Sequence, residues 1–156
     1  MSASPRSRLA ALRGQDLRAL HATGSVPDLS QLDTRMDGVV LNGHLGRPLV
    51  RNLRLWRGKV FERDQDGAVT GLNRLGLGPV ELRHYRFTAR TTPSLFGDRS
   101  VVLLDHDNDS NPASVRRFHD ELVAIDDGLW LATSHYRDGD RLRYLCHFAL
   151  ARPAAT

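Results

Sequence analysis

The sequence predicts a mainly β protein, a small closed or nearly closed antiparallel barrel preceded by one helix. Three observations lead there. From Lys59 onward, short segments of alternating character recur, the period-two signature of strands. Asp-Gly steps separate several of them, at Asp66-Gly67, Asp127-Gly128 and Asp138-Gly139, and such steps favour tight hairpin turns. A run of short strands in series must then close on itself or pack on a second sheet.

The elements follow in order. Residues 8–22 read as the helix: Leu9, Leu12, Leu17 and Leu20 fall near one face and Gly24 closes it, although Gly14 weakens the middle. This helix is expected to cover one end of the barrel. A turn-rich linker, TGSVPDLSQLD, completes residues 1–35, and the barrel domain occupies 36–150. Residues 36–42 form a first strand, broken by Gly43, Gly46 and Pro48; 48–56 reads as one or two amphipathic turns. Further strands are expected over 59–63, 68–73, 84–91, 100–107, 115–125, 129–136 and 141–150. In 115–125, Val115, Phe118, Leu122 and Ile125 also have helical spacing. The hairpin turns that follow decide for a strand, because they make three consecutive runs of matching length. The tail 151–156 is expected to be disordered.

Composition excludes several classes. At 156 residues, with 40% hydrophobic and 26% charged, the chain is one globular domain able to bury its own core. The pI is near 10.0, yet net charge is only +4 because acids are interleaved with the arginines. Phosphate tracking needs clustered cations, so no nucleic-acid partner is expected. No apolar run is long enough for a bilayer, and the basic start lacks the apolar core of a signal peptide. Cys146 is the lone cysteine, which fits a reducing, cytoplasmic setting. If the sheet stays unclosed, its edge strands permit a homodimer.

The order of WRGKVF (Trp56 to Phe61), Asn73, LLDHDNDSNP (Leu103 to Pro112), VRRFHDEL (Val115 to Leu122) and DGLWLA (Asp127 to Ala132) resembles a set of small bacterial proteins of uncharacterised function. These carry a W-x-G-K-x-F element and are similar in layout to the lipocalin-like (calycin) GXWXG proteins. The resemblance spans about residues 36–150 and implies a lipocalin-like barrel with a pocket for a small, mostly apolar molecule. It implies no reaction. His106 and Trp130 stand where the pattern has Tyr, and Ala132 where it has Gly.

Candidate site residues come from charge and parity. Lys59 is the only lysine among 22 basic residues, set beside Trp56 and Phe61. An amine in an apolar pocket loses proton affinity and becomes a base, a Schiff-base former or a donor to an enolate. The alternative is a surface lysine whose stem lies over Trp56. In 115–125 the odd positions stack Arg117, His119 and Glu121 in a ladder of about 7 Å steps. If that face looks inward, the three are catalytic candidates; if the even face with Phe118 and Leu122 is interior, the ladder lies outside. Asp105 joins the inward set, its strand placing His106 on the opposite face. Trp56, Phe61, Trp130 and His135 are candidate ligand contacts.

No metal is expected. The four histidines at 106, 119, 135 and 147 lie on separate strands, and the 105–111 run lacks the Gly and Glu of a calcium loop. No cofactor motif is present. The leading functional expectation is a cofactor-free pocket enzyme performing cyclase- or isomerase-type acid–base chemistry on a small hydrophobic or polyketide-like molecule. The alternative is a non-catalytic carrier or sensor of a lipid-like ligand or haem. Either way, Lys59 is expected at a pocket that also receives a side chain from 105–107 or 117–121.

Overall fold

The computed structural model describes residues 4–32, 34–43 and 55–153. The amphipathic segment expected over 48–56 lies outside them, apart from its last two residues. Eight antiparallel strands close into a barrel in sequence order: β1 (Arg35–Gly43), β2 (Trp56–Arg63), β3 (Val69–Leu77), β4 (Val80–Pro93), β5 (Ser100–Asp105), β6 (Phe118–Asp126), β7 (Leu129–Asp138) and β8 (Arg141–Ala151). The seam joins β1 to β8, with Gly38 opposite Leu150. The closed sheet leaves no free strand edge of the kind an open sheet would present.

Turn chemistry sets the hairpins. Gly67, Gly78, Gly128 and Gly139 take positive φ at the β2–β3, β3–β4, β6–β7 and β7–β8 turns. The Asp64 carboxylate accepts from the backbone N–H groups of Asp66 and Ala68, an Asx turn that ends β2. The strand expected from Val115 begins only at Phe118. Residues 115–117 instead form a single turn, in which Val115 and Arg116 both donate to the Pro112 carbonyl.

The expected single helix is two, α1 (Pro5–Ala10) and α2 (Gly14–Thr23). Arg13 is extended, and its N–H donates to the Asp16 carboxylate, which starts α2 afresh. Nor do these helices cap an end. Leu17 packs with Val101, Val123 and Leu131, and Leu9 with Leu129 and Ala149, so they cover the outer wall. One end is filled instead by the short 3₁₀ turn Leu29–Gln31, which brings Leu29 and Leu32 into the interior cluster with Met36, Phe61, Trp130 and Leu150.

Parity along β6 shows what this produces. Leu122 joins the interior cluster and Phe118 and Asp120 face the remaining interior space, whereas Val123 packs beneath α2. Both faces of the strand are therefore buried over its middle.

Candidate functional site

Among the described residues, none fills the half of the barrel nearer the β3–β4 and β7–β8 hairpins. A cavity of about 700 Å³ remains, walled among the described residues largely by Val40, Leu75, Phe118, Tyr136, Leu145 and Phe148. Its polar side chains include Lys59, Asn73, His106, Asp120 and Ser134, with Cys146 beside them, and Ser114, Arg143 and Tyr144 also line it.

Lys59 reaches the interior through a bulge. The β2–β3 register shifts between Trp56 and Gly58, so Trp56 and Lys59, three residues apart, both point inward. Gly58 has φ +135°, and a Cβ there would stand 2.2 Å from the Met36 carbonyl oxygen. Only glycine fits that crossing. The Trp56 ring in turn lies on Gly38, where a Cβ would come within 2.4 Å of it.

Asn73 organises the amine. Its Oδ1 accepts from Lys59 Nζ at 2.7 Å and from Trp56 Nε1 at 3.1 Å, while its Nδ2 donates to the Tyr85 carbonyl at 3.0 Å. That carbonyl is aimed by a second bulge: Tyr85 has φ +63° where the β3–β4 register shifts. Such backbone strain costs roughly 1 kcal/mol or more in a non-glycine residue, so the surrounding contacts must hold it. The Lys59 ammonium also sits 4.7 Å from the centre of the Phe87 ring and 5.5 Å from that of Phe148.

The Asp120 carboxylate takes the Ser134 hydroxyl on Oδ1 at 2.6 Å and leaves Oδ2 4.0 Å from Lys59 Nζ. Desolvation pushes its pKa above the usual carboxylate range, against the opposing pull of the Lys59 charge and the Ser134 hydrogen bond. The same burial lowers Lys59 to about 8, with Asp120 holding it from falling further. His106 Nδ1 donates to the Leu104 carbonyl at 3.1 Å, which leaves Nε2 as an acceptor 3.5 Å from Asn73 Nδ2. Desolvation first, then the Lys59 charge, holds this imidazole neutral, with its pKa well below the ordinary histidine value. Burial pushes the Cys146 thiol up to about 12, so it stays protonated.

Other expected site residues lie elsewhere. Arg117 is exposed in the turn before β6. Asp105 faces outward and pairs with Arg90 at 2.7 Å. His119 and Glu121 are buried, but on the outer wall: Glu121 accepts from the Ser94 hydroxyl at 2.6 Å, the Leu95 N–H at 3.1 Å and His119 Nε2 at 2.8 Å. His135 stands beside them, stacked on Phe96 at 4.3 Å, and does not reach the cavity. Phe61 and Trp130 are interior but belong to the packed layer, Phe61 edge-on to Phe87. Of the nine expected residues, Lys59 and Trp56 line the cavity.

Sequence reasoning missed Asp120 and Ser134. Asp120 carried a signal, since it shares its parity with Phe118 and Leu122. Ser134 carried the same one, sharing its parity with the interior Trp130 and Ala132. Among the described residues, no group of three or more His, Cys, Asp or Glu is placed to hold a metal. No described helix is long and apolar enough to cross a membrane.

No family model matches the chain, and no curated protein matches it. Among solved structures it is similar to one described as a protein from Thermomonospora curvata, at 12% identity and a TM-score of 0.54. The match covers 92% of this chain and 89% of that one. At that identity the likeness shows the fold alone.

Proposed function

We propose that the barrel is a cofactor-free enzyme that performs acid–base chemistry on a small hydrophobic molecule held in its cavity. The observation that carries this reading is the Lys59–Asp120 pair. Burial lowers the proton affinity of the amine and raises that of the carboxylate, so their pKa values approach each other. The smaller that gap, the less it costs to pass a proton between them or through a bound substrate.

Each neighbour has a part in such a step. The apolar wall excludes water and orders a flexible substrate with its reactive oxygen toward the polar groups. Lys59 donates to a developing enolate or alkoxide, Asp120 takes the proton from carbon or oxygen, and the neutral His106 offers only an acceptor at Nε2. Asn73 fixes the amine in place. Cyclisation or isomerisation of a polyketide-like carbonyl compound needs no more than this.

A carrier of lipid-like molecules is the second reading, favoured by the aromatic and aliphatic share of the wall. Incubation with a panel of poly-β-carbonyl and polyene compounds, followed by chromatography and mass spectrometry, separates the two. Product formation that disappears in Asp120→Asn supports the enzyme. Stoichiometric binding with every compound recovered unchanged supports the carrier.

A further inference from the structure

We propose that Lys59 is an imine-forming nucleophile, and that the cavity takes an aldehyde or ketone whose apolar body fills its aromatic part. The inference rests on the cavity being the substrate site and sharpens what enters it.

The geometry of the pair is the starting point. Direct ammonium–carboxylate hydrogen bonds close to about 2.7–2.9 Å. Here the two groups stand 4.0 Å apart although both are buried. Each is anchored by a different neutral partner, Lys59 by Asn73 at 2.7 Å and Asp120 by Ser134 at 2.6 Å. An ion pair serving only the fold would collapse, since the buried charges attract strongly. Held open, it leaves the amine flanked by a proton acceptor without being capped by it. A carbonyl carbon approaching Nζ from the cavity has its oxygen within reach of the Asp120 carboxyl.

The chemistry balances with these groups alone. Asp120 takes one proton from the Lys59 ammonium, and the freed nitrogen lone pair forms a C–N bond to the carbonyl carbon. The second C–O bond pair moves to oxygen, which takes a proton from nitrogen to give the carbinolamine. Asp120 returns its proton to that hydroxyl, which departs as water while the nitrogen lone pair closes the C=N bond. The net change is ammonium plus carbonyl to iminium plus water, with Asp120 again ionised as its counter-ion. The Cys146 thiol in the same wall remains protonated, so it does not compete as a thiolate. His106 cannot intervene as a donor, its one N–H being given to Leu104. The amine is ready for this at neutral pH, where roughly one molecule in ten would carry it uncharged.

Because Lys59 is the only lysine, the test reads cleanly. The folded protein is incubated with cinnamaldehyde and sodium cyanoborohydride, and adducts are located by peptide mass mapping. Cinnamyl alcohol, which has the same shape and cannot form an imine, reports cavity binding through tryptophan fluorescence. The expected result is one reduced adduct on the Lys59 peptide, formed at least tenfold faster than in the urea-unfolded chain. Asp120→Asn slows it at least tenfold while cinnamyl alcohol still binds, and Lys59→Met abolishes it. Alcohol binding without an accelerated Lys59 adduct, or an adduct on the α-amine alone, overturns the imine and leaves the cavity reading standing. Failure of both compounds to bind removes both.

Discussion

The two walls of β6 make the instructive comparison. Inside the barrel, Asp120 stands near Lys59 and Ser134 in a cavity that His106 also lines; one residue either side, on the outer wall, His119 and Glu121 meet Ser94, His135 and His21. Both clusters are buried, and both hold a carboxylate and at least one imidazole. They differ in what covers them. α2 and the segment 94–99 close over the outer cluster: His21 Nε2 donates to the Glu121 carbonyl, and Arg99 donates to His21 Nδ1 at 2.7 Å. The inner cluster faces empty space. Residue type therefore does not separate scaffold from site; the cavity in front of the residues does.

The sharpest way to break the comparison is Glu121→Ala. It strands the Ser94 hydroxyl, the Leu95 N–H and His119 without their acceptor, and is expected to destabilise the fold by about 3 kcal/mol or more. Urea denaturation measures it, and ligand binding by the folded fraction is expected to be unchanged. Asp120→Asn should do the reverse. Turnover in the compound panel falls by about 100-fold, as for loss of a general base, while stability moves by roughly 1 kcal/mol.

Next in size is acid sensitivity. Desolvation lowers His135 and His147 to about 4, and it lowers His21 and His106 as well. These groups stay neutral in the fold while the unfolded chain takes up protons near pH 6.5. The unfolded state then binds more protons, so stability falls as pH drops from about 6.5 to 4. Asp120, with its raised pKa, opposes this in part; Glu121, which desolvation raises but the hydrogen bonds from His119, Ser94 and Leu95 together hold low, adds to the loss below about 4.5. Thermal midpoints across that range measure the sum, and a flat profile would mean the outer imidazoles are protonated in the fold.

Lys59→Met is expected to abolish turnover and to cost about 3 kcal/mol in stability, since it leaves the buried Asp120 carboxylate without its counter-charge. Denaturation and activity of the same preparation decide it. Arg117→Ala should change both by least, within about 0.5 kcal/mol in stability, because its side chain lies in solvent.

The same comparison explains how much could be read from the chain. The strands, hairpin turns and barrel were legible because alternation and Asp-Gly steps are local. Lys59 was legible because its neighbours are apolar and it has no sibling. Asp120 was ambiguous because parity identifies an interior face only when one face is wet, and α2 dries the other. His119 and Glu121 carried the chemistry of a site and were assigned to the wrong wall. Bulges compounded this: register shifts near Gly58, Asn73 and His135 each reset the alternation that parity extrapolates. The layering inside the barrel, which sends Phe61 and Trp130 to the packed end, depends on the 3₁₀ plug and has no local signal.

The β1–β8 seam has a kinetic consequence. Asn42 and Tyr144, which meet across it, are 102 residues apart in the chain. Loop closure over such a span is entropically demanding, and barrels dominated by distant pairings fold in milliseconds to seconds. Neighbouring hairpins such as β6–β7 and β7–β8 need no such search and are expected to form early. Val40 on β1 and Phe148 on β8 face each other across the seam and both wall the cavity. The cavity is thus a late product of folding: until the seam zips, Lys59 remains a wet, fully protonated amine with no chemistry of its own.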